Sequence, residues 1–357
     1  MLPKENQPLA PLTTFGIGGP ARWFVDATSE QDVSEAAAWA HQRNIALLVL
    51  GGGSNLLVSD AGFNGLVLHI ALRGIEAETS EPDSGQPGSQ VYRVAAGEDW
   101  DSFVSRTVTD NCAGVECLAG IPGTVGGTPA QNVGAYGQEV ATVIDRVRAF
   151  DLESRAFVEF TAAECDFSYR RSRFNSSDRG SFVVTRVDYR LMPGGPPTVS
   201  YPDLRKAIEA HRTHAAGPTL IEVADVVRQV RRAKGMLLVE GDPDCRSAGS
   251  FFKNPVVAVK VFRQIAAQRP NAPHYPAGPE LVKIPAAWLI EQAGFTKGYA
   301  RGPAAISSKH TLALVNRGEQ GRSATANEVL ALAAEIAAAV EVRFGIRLER
   351  EPVLLGL

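Results

Sequence analysis

Residues 120–139, GIPGTVGGTPAQNVGAYGQE, constrain this chain more than any other stretch. Six of the twenty are glycine, and no charge appears before Glu139. Glycine at that density removes Cβ atoms and admits positive φ, so backbone N–H groups can approach a ligand closely. Between the glycines, Thr124, Thr128, Gln131, Asn132 and Tyr136 offer hydrogen bonds without net charge. That combination suits a large, polar, flat-ringed cofactor carrying phosphates. A plain connecting loop is the alternative, although loops of this length without function are uncommon in compact domains.

A second glycine loop, GGGSN at residues 51–55, follows the apolar run 45–50. It lacks the Gly-Lys-Ser/Thr of a Walker A loop, and Leu56–Val58 continues as strand where a dinucleotide fingerprint would open a helix. Consecutive backbone N–H groups there can still form an anion nest for a diphosphate. A tight turn between strands would read the same way. With two such loops in one chain, a single dinucleotide cofactor could use both.

The rest of the chain frames these loops. Its 357 residues suffice for two or three domains, and 36 basic against 39 acidic side chains leave a net charge of −3. Nothing there points to nucleic acid or a membrane surface. No apolar run approaches a membrane span, so a cytoplasmic protein is expected. Cys112, Cys117, Cys165 and Cys245 form no C-x-x-C pair and the six histidines no metal motif, so reduced thiols and no metal are expected. Helices are expected over 30–43, 99–109 and 221–232, and strands over 22–25, 65–70, 91–96, 143–151, 157–161 and 181–191. Residues 79–90 read as an exposed hairpin tip or loop and 193–197 as a linker. Thr325 and Glu328 form a capping box, followed by Val329, Leu332, Ile336 and Val340 on one apolar face. The pattern argues for an α+β fold, not a doubly wound sheet.

TTFGIGGPA, LGGGSNLLVSD, AAGEDW, the 120–139 stretch, CDFSYRRSRF, AGSFFKNP, AWLIEQAGF and GIRLERE occur in this order across residues 13–351. Together they resemble the UDP-N-acetylenolpyruvoylglucosamine reductases, the MurB family of peptidoglycan synthesis, and AGSFFKNP is close to diagnostic. The resemblance implies a two-lobed FAD-binding region of the vanillyl-alcohol-oxidase (PCMH) type over 1–214, with lobes near 1–72 and 73–214. A C-terminal α+β substrate domain would occupy 215–357. It implies NADPH-driven reduction, through FAD, of the enolpyruvyl ether on a UDP-sugar to a lactyl ether, by a monomer. FAD is expected to be non-covalent, its diphosphate near Gly51, Gly52, Gly53, Ser54 and Asn55. Its isoalloxazine is expected near Gly120, Ile121, Pro122, Gly123, Thr124, Gly126, Gly127, Gln131, Asn132, Gly134, Ala135 and Tyr136.

The same resemblance assigns the chemistry. Arg170 in SYRRS matches the catalytic arginine; a guanidinium fork can grip a carboxylate that gains charge during reaction. Ser250 in AGSFF matches the proton donor, a weak acid suited to a strongly basic carbanion. Glu351 matches the third catalytic residue. The family commonly reads Leu-Glu-Pro-Glu-Val, whereas this chain has Leu348-Glu349-Arg350-Glu351-Pro352, which leaves Glu349 as an alternative. Tyr201 in SYPDL resembles a flap-loop tyrosine over the diphosphate, Lys234 a diphosphate-binding lysine, and Asn254 and His310 substrate-contacting positions. The family's first type often has glutamine where His310 stands, and many members have a shorter segment than 237–247 after the lysine.

Overall fold

The apolar face of Val329, Leu332, Ile336 and Val340 becomes the helix Ala326–Phe344 in the computed structural model, which describes residues 2–80, 88–211 and 217–356. Thr325 and Glu328 close its N-terminus as a reciprocal capping box, and Gly345 ends it at φ +66°. Contacts divide the chain into two units. The first is Met1–Gln7, Ala21–Gly53 and Asn64–Ala233; the second is Pro8–Pro20, Ser54–Phe63 and Lys234–Leu357. The units are therefore discontinuous in sequence, and the expected boundary at 214/215 lies outside the described residues. Residues 193–197 belong within the first unit, where Gly194 N–H donates to the Asn111 carbonyl at 2.7 Å.

In the first unit, one sheet runs in the order Lys4–Pro8, Pro20–Ala27, Phe63–Ile70, Leu47–Leu50. Its last two strands are parallel, with Leu47 opposite Leu66. The helix Glu30–Gln42, capped by Ser29 and Asp32, lays Val33, Ala36, Ala37 and Ala40 against Val25, Leu66 and Leu68. A second sheet is antiparallel, in the order Phe157–Thr161, Ile144–Asp151, Phe182–Pro193, Ser89–Ala95, Ile75–Ser80. Ser80 pairs with Ser89, so the expected polar loop joins two strands of a hairpin, and its central residues 81–87 lie outside those described. The helix Trp100–Thr109 buries Trp100, Phe103 and Val104 against Tyr92 and Tyr189.

The second unit is built on Ala326–Phe344 and two small three-stranded antiparallel sheets. Leu56–Val58 pairs in parallel with the C-terminal strand Val353–Leu355. TTFGIGG belongs here as well: Phe15 and Ile17 share a core with Phe251, Phe252, Leu289 and Ile336. Asp60 of LLVSD accepts the Ala326 N–H at 2.9 Å, a second cap on the long helix. Two further helices, Val259–Gln268 and Ala286–Gln292, escaped the sequence reading. Neither is capped by the residue preceding it, so the usual start signal is missing. No helix of the described residues is long and apolar enough to cross a membrane.

Candidate active site

Gly51 and Gly52 of the shorter glycine loop meet the longer loop inside the first unit. A Cβ placed on Gly52 would lie 2.6 Å from the Gly123 Cα and 3.0 Å from the Thr124 nitrogen, and one on Gly51 would lie 2.8 Å from the Thr124 hydroxyl. That hydroxyl is buried with no hydrogen-bond partner among the described residues. Each end of the longer loop is held from below. Gly120 donates its N–H to Asp101 at 2.7 Å and accepts from the Arg231 guanidinium at 2.9 Å, while Asp101 is paired with Arg228. Burial pulls the Arg231 pKa down, countered by the nearby Tyr136 and Asp101. Glu116, fully buried, accepts from the Gly114 and Thr198 N–H groups and from the Gln138 amide, all at 2.8 Å. These anchors were not found from sequence. Arg228 and Arg231 stand out only as members of a basic run, and nothing local shows which of them turn inward.

Arg170 is fastened to the same loop. Ser172, buried, donates to the Ala130 carbonyl at 2.7 Å, and the Asn132 amide donates to the Ser168 carbonyl at 3.1 Å. Asn132 also donates to Glu139 and accepts from Ala141 N–H, so its side chain joins protein segments and any cofactor contact falls to its backbone. Arg170 itself sits at φ +56° and Tyr136 at φ +49°, left-handed conformations uncommon for such side chains. Backbone strain of this kind clusters at functional sites. Tyr136 packs edge-on against Tyr201 with ring centroids 5.7 Å apart, and burial raises the Tyr136 phenol's pKa. All four cysteines are buried thiols; burial holds Cys117 and Cys165 up at about 12, far from reactive thiolates.

In the second unit, Ser250 follows Gly249 at φ +69° and precedes Phe251 and Phe252, which are buried and T-stacked at 5.3 Å. The two rings anchor the segment and leave Ser250 half-buried. Across from them runs 349–351: Glu351 N–H donates to the Phe251 carbonyl and Lys253 N–H to the Glu349 carbonyl, each at 2.9 Å. Glu351 thus lies beside the residue next to Ser250. Arg350 pairs with Phe252 as the position between those two bonds, so its N–H takes no part in the ladder. A proline there, the family's pattern, and the arginine found here suit the same backbone. Glu349 is exposed and pairs with Lys253 at 3.8 Å, whereas Glu351 is half-buried.

Asn254 accepts the Ala286 N–H at 2.8 Å and so caps a helix with its carbonyl oxygen. Lys234 and His310 lie close enough to interact. Burial lowers the His310 pKa to about 4, helped by Lys234 and Lys297 and opposed by Glu291. His310 is consequently neutral at pH 7, a hydrogen-bonding group without charge, which is also what a glutamine would supply.

Residues 21–154 match a family model described as an FAD binding domain, and residues 242–355 one described as the UDP-N-acetylenolpyruvoylglucosamine reductase C-terminal domain. Two glycine backbones in contact and an unsatisfied buried hydroxyl fit a cofactor that takes backbone N–H bonds, and the class is an FAD-binding α+β oxidoreductase. A UDP-N-acetylenolpyruvoylglucosamine reductase of Streptomyces coelicolor is 45% identical over 362 residues, covering 99% of this chain and 90% of that one. That of Thermobifida fusca is 42% identical over 363 residues, covering 99% and 98%. The crystal structure of the enzyme (MurB) from Thermus caldophilus aligns with a TM-score of 0.64 and 25% identity, over 99% of this chain and 100% of that one. The chain belongs to the UDP-N-acetylenolpyruvoylglucosamine reductase family.

The contact between the loops makes one substitution informative. Gly52→Ala drives a methyl into backbone atoms that cannot rotate away, so the loops must part. FAD binding is expected to weaken by roughly 100-fold or more, about 2.7 kcal/mol, while far-ultraviolet circular dichroism stays unchanged. Flavin-to-protein ratio and fluorescence titration read it out; full flavin content in Gly52→Ala would place the diphosphate elsewhere.

Proposed function

We propose that this chain reduces UDP-N-acetylglucosamine enolpyruvate to UDP-N-acetylmuramate with NADPH, using Arg170, Ser250 and Glu351 as its reacting residues. The family and its FAD domain carry the activity in peptidoglycan precursor synthesis. The observation that best supports the residue roles is the ladder between 251–253 and 349–351, which sets Glu351 beside the serine segment. We place the reaction in the cytoplasm and take the working species to be a monomer.

FAD, when bound, supplies the redox-active ring system between NADPH and substrate. Gly51, Gly52, Gly53, Ser54 and Asn55 would take its diphosphate, and the loop from Gly120 to Tyr136 its ring. Reduction at the β-carbon of the enolpyruvyl group pushes electron density onto the α-carbon and carboxylate. Arg170 binds that carboxylate through two parallel hydrogen bonds that strengthen as the charge grows. Ser250 holds the proton delivered to the α-carbon, and its high pKa is no obstacle against so basic an acceptor. Glu351 orients the substrate or assists that proton supply. Tyr201, Lys234, Asn254 and neutral His310 are the residues assigned to the rest of the UDP-sugar.

Spectroscopy tests this directly. Purified protein is expected to be yellow and to release FAD on acid denaturation. NADPH should bleach it without oxygen, and the enolpyruvyl substrate should restore the colour. Turnover without NADPH that releases peroxide would make the chain an oxidase of the wider fold, and a colourless protein that takes up no FAD would end the reading.

A further inference from the structure

Three short segments of the second unit converge on one buried carboxylate. Asp244 accepts from both the backbone N–H and the hydroxyl of Ser308, at 2.8 and 2.5 Å. Its own N–H donates to the Asp242 carboxylate, whose other oxygen pairs with the ammonium of Lys309. Gly235, at φ +65°, closes the cluster: a Cβ there would lie 3.2 Å from the Asp244 Cβ and 3.3 Å from the Lys309 Cδ. Ser308 and Lys309 immediately precede His310, and Gly235 immediately follows Lys234. Both Asp242 and Asp244 come from the segment 237–247.

We propose that Asp244, backed by Asp242, is a positioning residue that sets the His310 loop and the Lys234 turn against each other and thereby fixes affinity for the substrate's diphosphate. The proposal rests on the reading of His310 and Lys234 as substrate contacts. The physical reason is geometric. A lysine is a flexible point charge and carries large rotamer entropy, so it gains from a fixed backbone origin. Burial, with Lys234 and Lys297 nearby, holds His310 uncharged, and that burial depends on where its loop sits. Asp244 fastens the loop at two oxygens, and the missing side chain at Gly235 lets the turn come within contact of it.

Asp244→Asn and Ser308→Ala cut the same link from opposite sides, and Ser308 is exposed enough that its variant should fold. Two readouts separate positioning from general damage. By NMR, the His310 imidazole is expected to titrate near 4 in the wild type and to rise by roughly one unit or more toward the ordinary value in both variants. In steady-state kinetics, KM for the UDP-sugar is expected to rise roughly 10-fold with kcat within about twofold. An unchanged His310 titration in both variants, or a fall in kcat with KM unmoved, overturns the inference. A shifted titration with unmoved KM instead overturns the assignment of His310 and Lys234 to the substrate, and with it the claim about affinity.

Discussion

Ser250→Ala is expected to bleach normally with NADPH and to recover its flavin colour with substrate roughly 10²–10⁴-fold more slowly than wild type, the usual scale for losing a positioned acid. The two half-reactions separate because the proton is needed only once the α-carbon carries charge. The substitution should not disturb the fold. Phe251 and Phe252 anchor the segment by burial, and the backbone bonds to Leu312 and Glu351 involve Phe251, not the serine hydroxyl. Ser250→Cys should recover part of the rate, since a thiol can deliver a proton from a similar place. Stopped-flow absorbance of each half-reaction under anaerobic conditions decides it. Equal slowing of both steps would make Ser250 a residue that positions the flavin or the loop.

Arg170→Lys is expected to lower substrate-dependent reoxidation by roughly 10²–10³-fold while FAD remains bound. Lysine keeps the charge but loses the planar fork, so the change isolates geometry from electrostatics. It also leaves the backbone question untouched, since neither residue favours the φ of +56° found there. The hydrogen bonds that hold the loop run through Ser172, Asn132 and Asn175, none of which needs the Arg170 side chain. Flavin content and the NADPH half-reaction therefore serve as internal controls. Wild-type reoxidation in Arg170→Lys would place the carboxylate clamp on another residue.

Much of this protein is readable without coordinates. Periodicity and capping chemistry placed the helix Ala326–Phe344 because Thr325, Glu328 and the apolar stripe are all local signals. The strands Ile144–Asp151 and Phe157–Thr161 were legible for the same reason, being apolar runs bounded by turns. Helices begun without a side-chain cap from the preceding residue were not legible. Ala286–Gln292 receives a hydrogen bond from Asn254, 32 residues earlier, which no window of sequence can show.

The sequence by itself determined the chemistry on offer: two glycine loops without cations, a guanidinium, a hydroxyl and a carboxylate in motifs that resemble one family. Tertiary structure decided which groups meet. It set Gly52 against Gly123 across 71 residues, closed Gly120 between Asp101 and Arg231, and left Glu351 half-buried and Glu349 exposed. It also grouped TTFGIGG with the C-terminal core, though that motif lies near the start of the chain. Composition and periodicity record what each residue prefers locally. Burial, and the pKa values that follow from it, are set by neighbours brought in from distant segments, and only the folded chain specifies those.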